Sequence, residues 1–403
     1  MPPRPATRDL VYSAGLLKTD IKIAQRTSLL GFSDIVKIRN RVLEMKAAGQ
    51  SVLQLEGGEP FMPTPDFVKK AMVDALNQNL TRYAPSSGIP PLLEAIRVKL
   101  ARKNHIEVDA KKIIVTSGGA HALFCAFQAS INPGDGVMLF SPYWTPIRDH
   151  IMFAGGTPQR IPWDDARAAE DLTSILEAHV TPATRVIYVN TPANPTGDVL
   201  SRKQLESIAR FATNNNLIAI SDEAYEDLVY DGEHVSLASL PGMFPRTISM
   251  YTLSKSFAMT GWRIGYLVGD EIFMEFFRKL VLNSVNGVST PTQYAATAAM
   301  SAPPDYFPPI REEYRKRRDM LVRGLNEAGF RCLTPPGAFY LFPDVRERLG
   351  SDSWKAMQTL LDKTSVSSVP GAVFGPEGEG HLRMSCSIAL DVLEKAIAAL
   401  KKL

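Results

Sequence analysis

The sequence predicts an α/β protein, with a large domain whose mostly parallel sheet is flanked by helices and a smaller α+β domain built from both chain ends. Three observations predict it. Short β-branched or apolar runs recur through the middle of the chain, at Ile113 to Val115, Val137 to Phe140, Val186 to Val189, Leu217 to Ile220, Thr247 to Met250 and Ile264 to Val268. Several are separated by helical patterns, Ala120 to Ser130, Pro146 to Phe153 and Arg202 to Thr213, and this alternation marks parallel strands joined by helical crossovers. The length, 403 residues at 45% apolar content, supports one large core and a second smaller one.

Taken in order, residues 1–20 are rich in Pro, Arg and Thr and are expected to form an N-terminal arm with no core of its own. From Ser33 to Ala48 the apolar positions Ile35, Val36, Ile38, Val42, Leu43 and Met45 recur at helical spacing, closed by Gly49. Val52, Leu53 and Leu55 read as a strand feeding the turn Gly57-Gly58-Glu59-Pro60. Phe67 to Leu80 is helical, and Tyr83 to Pro91 is a Pro/Gly/Ser loop. A further helix starts at Pro91, whose fixed φ suits a first turn, and runs through Arg102. Beyond the alternating region a helix ends at Met300, and Pro303, Pro304, Pro308 and Pro309 read as a domain joint. The rest divides into helices over 311–328, 353–364 and 391–402 and strands near 330–342, 366–369 and 381–385. Residues 301–403 with 21–60 are expected to make the small domain, leaving 61–300 for the large one.

Composition excludes several classes. Charged residues are 22%, with Lys+Arg against Asp+Glu at 45 to 42, and the one basic patch, Arg315 to Arg318, reads as a solvated helix face, so no nucleic-acid partner is expected. The cysteines Cys125, Cys332 and Cys386 are too far apart for a C-x-x-C pair and fit a reducing, cytoplasmic compartment. The N-terminus lacks the apolar core of a signal peptide, and no run reaches the ~18 apolar residues needed to span a membrane. The six histidines show no metal-binding spacing, and no metal is expected. Gly375-Pro376-Glu377-Gly378-Glu379-Gly380 precedes a strand where a dinucleotide fingerprint would follow one, and reads as a turn.

In an open parallel sheet ligands bind beyond the carboxyl ends of the strands. The first predicted strand ends in Ser117-Gly118-Gly119-Ala120 and a helix, whose free N–H groups make an anion site. The second ends in Ser141-Pro142-Tyr143-Trp144, which offers an aromatic face. The third ends in N-T-P-A-N-P-T-G, with Asn194 held before a proline that favours an extended backbone. The fourth ends in Ser221-Asp222-Glu223-Ala224-Tyr225, where an acid directly after an apolar run needs a partner or caps the next helix. The fifth leads into Thr252, Ser254 and Lys255. A lysine among hydroxyls and apolar groups is displaced toward its neutral form, able to make a Schiff base. Arg263, behind Gly261, completes a set of groups suited to a phosphate.

These motifs, together with L-E-G-G-E-P, Y-A-P-S-S-G-I-P-P-L, S-K-S-F-A-M-T-G-W-R-I-G-Y, P-P-G-A-F-Y and H-L-R-M-S-C-S, give the chain a clear family likeness. From about Ser33 onward it resembles the class I aminotransferases, pyridoxal phosphate enzymes with the aspartate aminotransferase fold (fold type I). The resemblance implies that Lys255 carries pyridoxal 5'-phosphate as an aldimine and then moves the substrate's Cα proton. Asp222 would face the pyridine nitrogen, and Asn194 and Tyr225 would hydrogen-bond the phenolic oxygen. Trp144 would stack on the ring, and Gly118, Gly119, Ala120, Thr252 and Arg263 would hold the phosphate, with Tyr83 reaching it across a homodimer interface. Arg383, Gly58, Trp144 and Asn194 would contact the amino-acid or 2-oxo acid substrate.

The departures bear on the side chain that is accepted. Glu59-Pro60-Phe61-Met62 stands where many relatives have Glu-Pro-Asp-Phe, and Ala120 stands where some aspartate enzymes place a lysine. The segment Asn283 to Thr290, which supplies a distal arginine in other members, has no Arg or Lys. Aspartate, aromatic or broad specificity is therefore left open. A carbon–sulfur β-lyase on the same fold is the alternative reaction. A cofactor-binding regulator would need a DNA-binding module, for which the stretch before the first predicted helix is too short.

Overall fold

The computed structural model describes residues 24–403, so the arm expected over residues 1–20 lies outside them. In chain order the strands are β1 (Leu53–Gln54), β2 (Ile113–Thr116), β3 (Gly136–Ser141), β4 (Thr157–Pro162), β5 (Thr184–Asn190) and β6 (Ile218–Asp222). They continue with β7 (Thr247–Thr252), β8 (Gly265–Val268), β9 (Tyr340–Leu341), β10 (Val366–Ser367), β11 (Val369–Pro370) and β12 (Leu382–Ser385). Seven of them form one sheet in the order β2-β8-β7-β6-β5-β3-β4. Every pairing in it is parallel except those of β8, which runs antiparallel to both β2 and β7.

The continuous apolar runs that predicted these strands reflect a sheet covered on both faces. Because side chains alternate, Val186 and Tyr188 join Val137, Leu139 and Ile220 in one apolar cluster, while Ile187 and Val189 join Met138 and Ala219 in another. The first is closed by helices Gly119–Ser130, Pro146–Phe153 and Glu271–Val285, the second by helix Arg202–Asn214. That last helix opens with a capping box, Ser201 Oγ accepting from Gln204 N and Gln204 Oε1 from Ser201 N. Capping contributes about 1 kcal/mol, whereas fully burying each of Leu205, Ile208 and Phe211 contributes about 1.5–3. Packing therefore holds the helix, and the box fixes where it begins.

Helices Trp163–Ala166, Thr173–His179 and Arg346–Leu349 are too short to show a period in the sequence, and three larger elements also depart from the sequence reading. Helix Glu271–Val285 was not predicted, because apolar residues lie on both of its faces: Met274, Phe277 and Val281 are buried, while Ile272, Phe276 and Leu282 are exposed. That blurs the helical period. Strand β4 carries Pro158 and Pro162 and buries only Ile161, as an edge strand allows. The helix expected from 311 begins at Phe307 and runs to Glu327, so Pro308 and Pro309 lie in its first turn and not in a joint. First-turn N–H groups have no partner within the helix, which is why proline is tolerated there.

The C-terminal elements build a second core. Strands β11, β12 and β9 pair antiparallel, and β1 pairs parallel with β10, tying Leu53 to Val366 across most of the chain. Leu55 is buried in the same cluster as Leu321, Leu325, Phe339, Leu360 and Leu393.

Candidate active site

Because β8 runs against its neighbours, the residue that precedes it is delivered to the sheet edge where the parallel strands end. Arg263 thus arrives at the same end of the sheet as Thr116, Ser141, Asn190, Asp222 and Thr252, the last residues of β2, β3, β5, β6 and β7. A cavity of about 270 Å³ opens there. Gly58, Gly119, Ala120, Trp144, Asn194, Asp222, Tyr225, Thr252, Lys255, Arg263 and Arg383 all line it. Gly118 lies against Arg263 at its rim. Tyr83 is elsewhere, 93% exposed, in a separate cleft with Val285 to Pro291.

Lys255 is carried by a one-turn helix, Leu253–Ser256, whose N-cap Thr252 accepts from Ser254 N through its hydroxyl. It is partly buried, and its Nζ donates to Gly58 O at 2.7 Å and lies 5.9 Å from the ring centres of Tyr225 and Phe339. The next residue, Ser256, donates through its hydroxyl to Asp227 Oδ2 at 2.5 Å. Asp227 belongs to a buried ionic network in which Lys103 pairs with Asp227 and Glu226, Lys99 pairs with Glu226, and Asn104 donates to Glu226 at 2.7 Å. Glu223, Glu226 and His234 bring metal-ligand atoms within 4.8 Å of one another, a cluster the histidine spacing did not foretell. Those carboxylates are already engaged by Lys99, Lys103, Asn104, Ser221 and Ser236.

The network fixes the ground beneath the lysine, and its loss has a sign. Burial works to raise the Glu226 carboxyl, but Lys103 and Lys99 prevail and hold it well below the usual carboxylate range. Its stabilisation is therefore complete above the ordinary value of 4.5 and is lost as pH falls toward the depressed folded value. Glu226→Gln is expected to cost about 3–5 kcal/mol at pH 7, because the buried Lys99 ammonium loses its ionic partner and the half-buried Lys103 is left with Asp227 alone. Urea unfolding between pH 3 and 7 checks it: the variant should show a shallower acid loss than the wild type.

Asp222 is buried at the end of β6, where Tyr188 OH donates to its Oδ2 at 2.6 Å and Ala224 N to its Oδ1 at 3.2 Å. Burial pushes its carboxyl up to about 6 despite both hydrogen bonds. A carboxylate in that position gains most from a positively charged neighbour. Tyr188 was not foreseen, since within an apolar strand it reads as core.

The anion end of the cavity is formed by the first turn of helix Gly119–Ser130 and by Arg263. Gly118 has φ +82°, and a Cβ there would lie 2.6 Å from Arg263 Nη2, so glycine is what lets the guanidinium close over the helix end. Arg263 itself has φ +54°, a sparsely populated region for a non-glycine residue, of the kind found where function holds the backbone.

Arg383 on β12 is 2% exposed. Its Nη1 donates to Asn194 Oδ1 at 3.1 Å and its Nη2 to Glu56 O at 2.8 Å, while Nε has no partner among the described residues. The guanidinium lies 4.4 Å from the Tyr340 ring centre and 5.0 Å from that of Phe374. Tyr340 OH shares a hydrogen bond of 2.9 Å with Tyr225 OH, and a Cβ on Gly58 would lie 2.9 Å from it. Within P-P-G-A-F-Y nothing in the sequence alone marks Tyr340 for a role. Nor does it mark Asn190, whose Oδ1 accepts from Asn194 N at 2.9 Å.

The donor set fits pyridoxal phosphate end to end: helix N–H groups and a guanidinium for a dianion, a buried carboxylate that favours a cation, and an amine. Fold and edge together define a pyridoxal phosphate enzyme acting on amino acids. The family model for aminotransferase class I and II matches residues 50–400, and the chain belongs to that family. A probable aspartate/prephenate aminotransferase of Aquifex aeolicus is 38% identical over 94% of this chain and 98% of its own length. Aromatic-amino-acid aminotransferase 2 of Thermococcus litoralis is 35% identical over 94% and 97%. The solved aspartate aminotransferase of Thermus thermophilus with maleate superposes at a TM-score of 0.89, with 34% identity over 95% of this chain and 99% of that one. The chain is a pyridoxal phosphate-dependent transaminase, and the carbon–sulfur lyase reading is not favoured. Among the described residues no helix is long and apolar enough to cross a membrane.

Proposed function

We propose that this transaminase moves the amino group of an L-amino acid with an aromatic side chain to a 2-oxo acid in a ping-pong cycle. The observation that carries the reading is that Lys255, Asp222 and Arg383, delivered by three distant parts of the chain, line one cavity. When bound, pyridoxal phosphate supplies an electron-accepting ring that makes the substrate's Cα proton acidic. Lys255 Nζ is the covalent anchor and, once released, the group that takes and returns that proton. Asp222, oriented by Tyr188, would favour a positive charge on that ring. Tyr225 and Asn194 present hydrogen-bonding groups from the cavity wall, and Trp144 an aromatic face. Gly118, Gly119, Ala120, Thr252 and Arg263 receive the phosphate.

Arg383 holds the substrate carboxylate, which offers the acceptor its Nε lacks, and Gly58 lies beside it as a backbone contact. The preference for aromatic side chains is supported by the lining: its cations are Lys255, Arg263 and Arg383, all assigned above, and its other walls include Ile35, Leu123, Trp144 and Tyr340. Residues 21–60 and 301–403 are read as one small domain, an idea supported by the pairing of β1 with β10.

A homodimer in which the partner supplies its own copy of Tyr83 is supported by the exposure of Tyr83 next to Val285 and by the exposed Ile272, Phe276 and Leu282 of the adjoining helix. Sedimentation of the holoprotein at twice the chain mass is the expected result. The reading of function is tested by mixing the yellow holoenzyme with single amino acids and following loss of the visible band. Tyrosine and phenylalanine should bleach it faster than aspartate. Failure of every amino acid to do so overturns the reading, and a faster reaction with aspartate overturns the side-chain preference.

Gly118→Ala tests the phosphate assignment. Strained backbone and a displaced Arg263 are each expected to cost about 1 kcal/mol, so titration of cofactor-free protein should show pyridoxal phosphate bound roughly tenfold or more weakly.

A further inference from the structure

The turn Gly375 to Gly380, which the sequence marked only as a turn, bears on the cavity from outside. Three contacts tie it and the residues just before it to the end of β3 and the segment that carries Trp144, and a fourth ties it to β4. Tyr143 N donates to Phe374 O at 2.9 Å and Thr145 Oγ1 to Val373 O at 2.7 Å. Ser141 Oγ donates to Glu377 Oε2 at 2.5 Å, and Arg160 Nε to Glu377 Oε1 at 3.1 Å. Burial works to raise the Glu377 carboxyl, but the Ser141 hydroxyl, its own N–H and Arg160 hold it below the usual range, so it is charged at neutral pH.

The same short segment reaches the other side of the cavity. Phe374 packs on the Arg383 guanidinium, and β11 pairs Val369 with Arg383 on β12. The turn is closed on itself, since a Cβ on Gly371 would lie 1.9 Å from Gly378 O, and it is tied to the start of helix Ser353–Thr364, where Glu379 Oε2 accepts from Ser353 N at 3.0 Å. Fit against β3 is equally close: a Cβ on Gly375 would lie 2.7 Å from Ser141 Oγ. A stiff strap therefore runs from the Trp144 face to the carboxylate-binding arginine, with Glu377 as its charged fastening to the sheet.

We infer that Glu377 is a positioning residue, which by gripping Ser141 and Arg160 sets the separation between Trp144 and Arg383 and so the affinity for amino- and oxo-acid substrates. The inference rests on reading Trp144 and Arg383 as substrate contacts. Pyridoxal phosphate is held chiefly by other elements, namely the helix start at Gly119, Asp222 and the Thr252 to Arg263 segment with its covalent anchor, and Trp144 adds only ring stacking, so its affinity depends far less on the strap than substrate seating does.

The test uses the holoenzyme of Glu377→Gln, Ser141→Ala and the double variant, with Arg383→Lys as control. Each single variant is expected to raise KM for both substrates about 5–20-fold, with kcat and cofactor affinity kept within about twofold, as expected for loss of a charge-assisted bond that acts through substrate seating. The double variant should match Glu377→Gln, because Ser141→Ala removes a grip that Glu377→Gln has already weakened together with the Arg160 ion pair. In cofactor-free protein the Tyr143 amide should exchange faster in Glu377→Gln. If KM stays unchanged in both singles while only thermal stability falls, or if cofactor affinity falls in step with KM, the strap is merely structural and the inference is overturned. If Arg383→Lys itself leaves KM unmoved, the substrate reading fails instead, and the strap inference with it.

Discussion

Lys255→Ala is expected to lower turnover by at least about 10⁴-fold, equivalent to about 5.5 kcal/mol of transition-state stabilisation. The effect is large because one amine has two roles, anchoring the cofactor and moving the proton, and Lys255 is the cavity's only lysine among the described residues. The fold should survive the change. Lys255 is only partly buried and its one hydrogen bond, to Gly58 O, is to a backbone carbonyl, so the thermal midpoint is expected to move little. Binding should persist without the covalent bond, held by Arg263 and the helix start at Gly119. Single-turnover kinetics with tyrosine, read beside a melting curve, separate these outcomes.

The second large effect is expected at Asp222. Two unit charges about 3 Å apart at an effective dielectric near 20 attract by about 5 kcal/mol, an upper-end value, so Asp222→Asn should lower the rate of the half-reaction by at most about four orders of magnitude. A further consequence appears without cofactor. Folding raises this carboxyl from its ordinary 3.8 to about 6, chiefly by burial, so the folded state disfavours its charge. Below pH 4 both states are protonated and nothing is lost. Between about pH 4, where the unfolded carboxyl ionises, and about 6, where the buried one does, stability falls by about 3 kcal/mol in all. Cofactor-free wild type should therefore lose stability across this window, and cofactor-free Asp222→Asn should not. Loading the wild type with pyridoxal phosphate should abolish the loss, because the carboxylate then has its positive partner.

Most of the site was legible because its residues follow directly on buried strands. An apolar run stops where the strand leaves the core, and Asp222 or Trp144 stands close behind that point. The residues that were missed differ in kind. Tyr188 lies within a strand and differs from a core tyrosine only by the acid its hydroxyl meets on the next strand. Tyr340 acts through Arg383, a pairing set by the register of distant segments, while Asn190 braces the backbone N–H of Asn194 within one loop whose fold the sequence pattern does not show. Helix Glu271–Val285 escaped because its exposed apolar residues imitate a core face, while β4 escaped because an edge strand tolerates proline.

The account rests on Lys255 as the amine that holds the cofactor, and borohydride reduction of the holoenzyme followed by peptide mass mapping tests it most directly. The result predicted is one added phosphopyridoxyl group per chain, on the peptide that contains Lys255, and none in Lys255→Ala. A stoichiometric label on any other lysine, or an undiminished label in the variant, would contradict it.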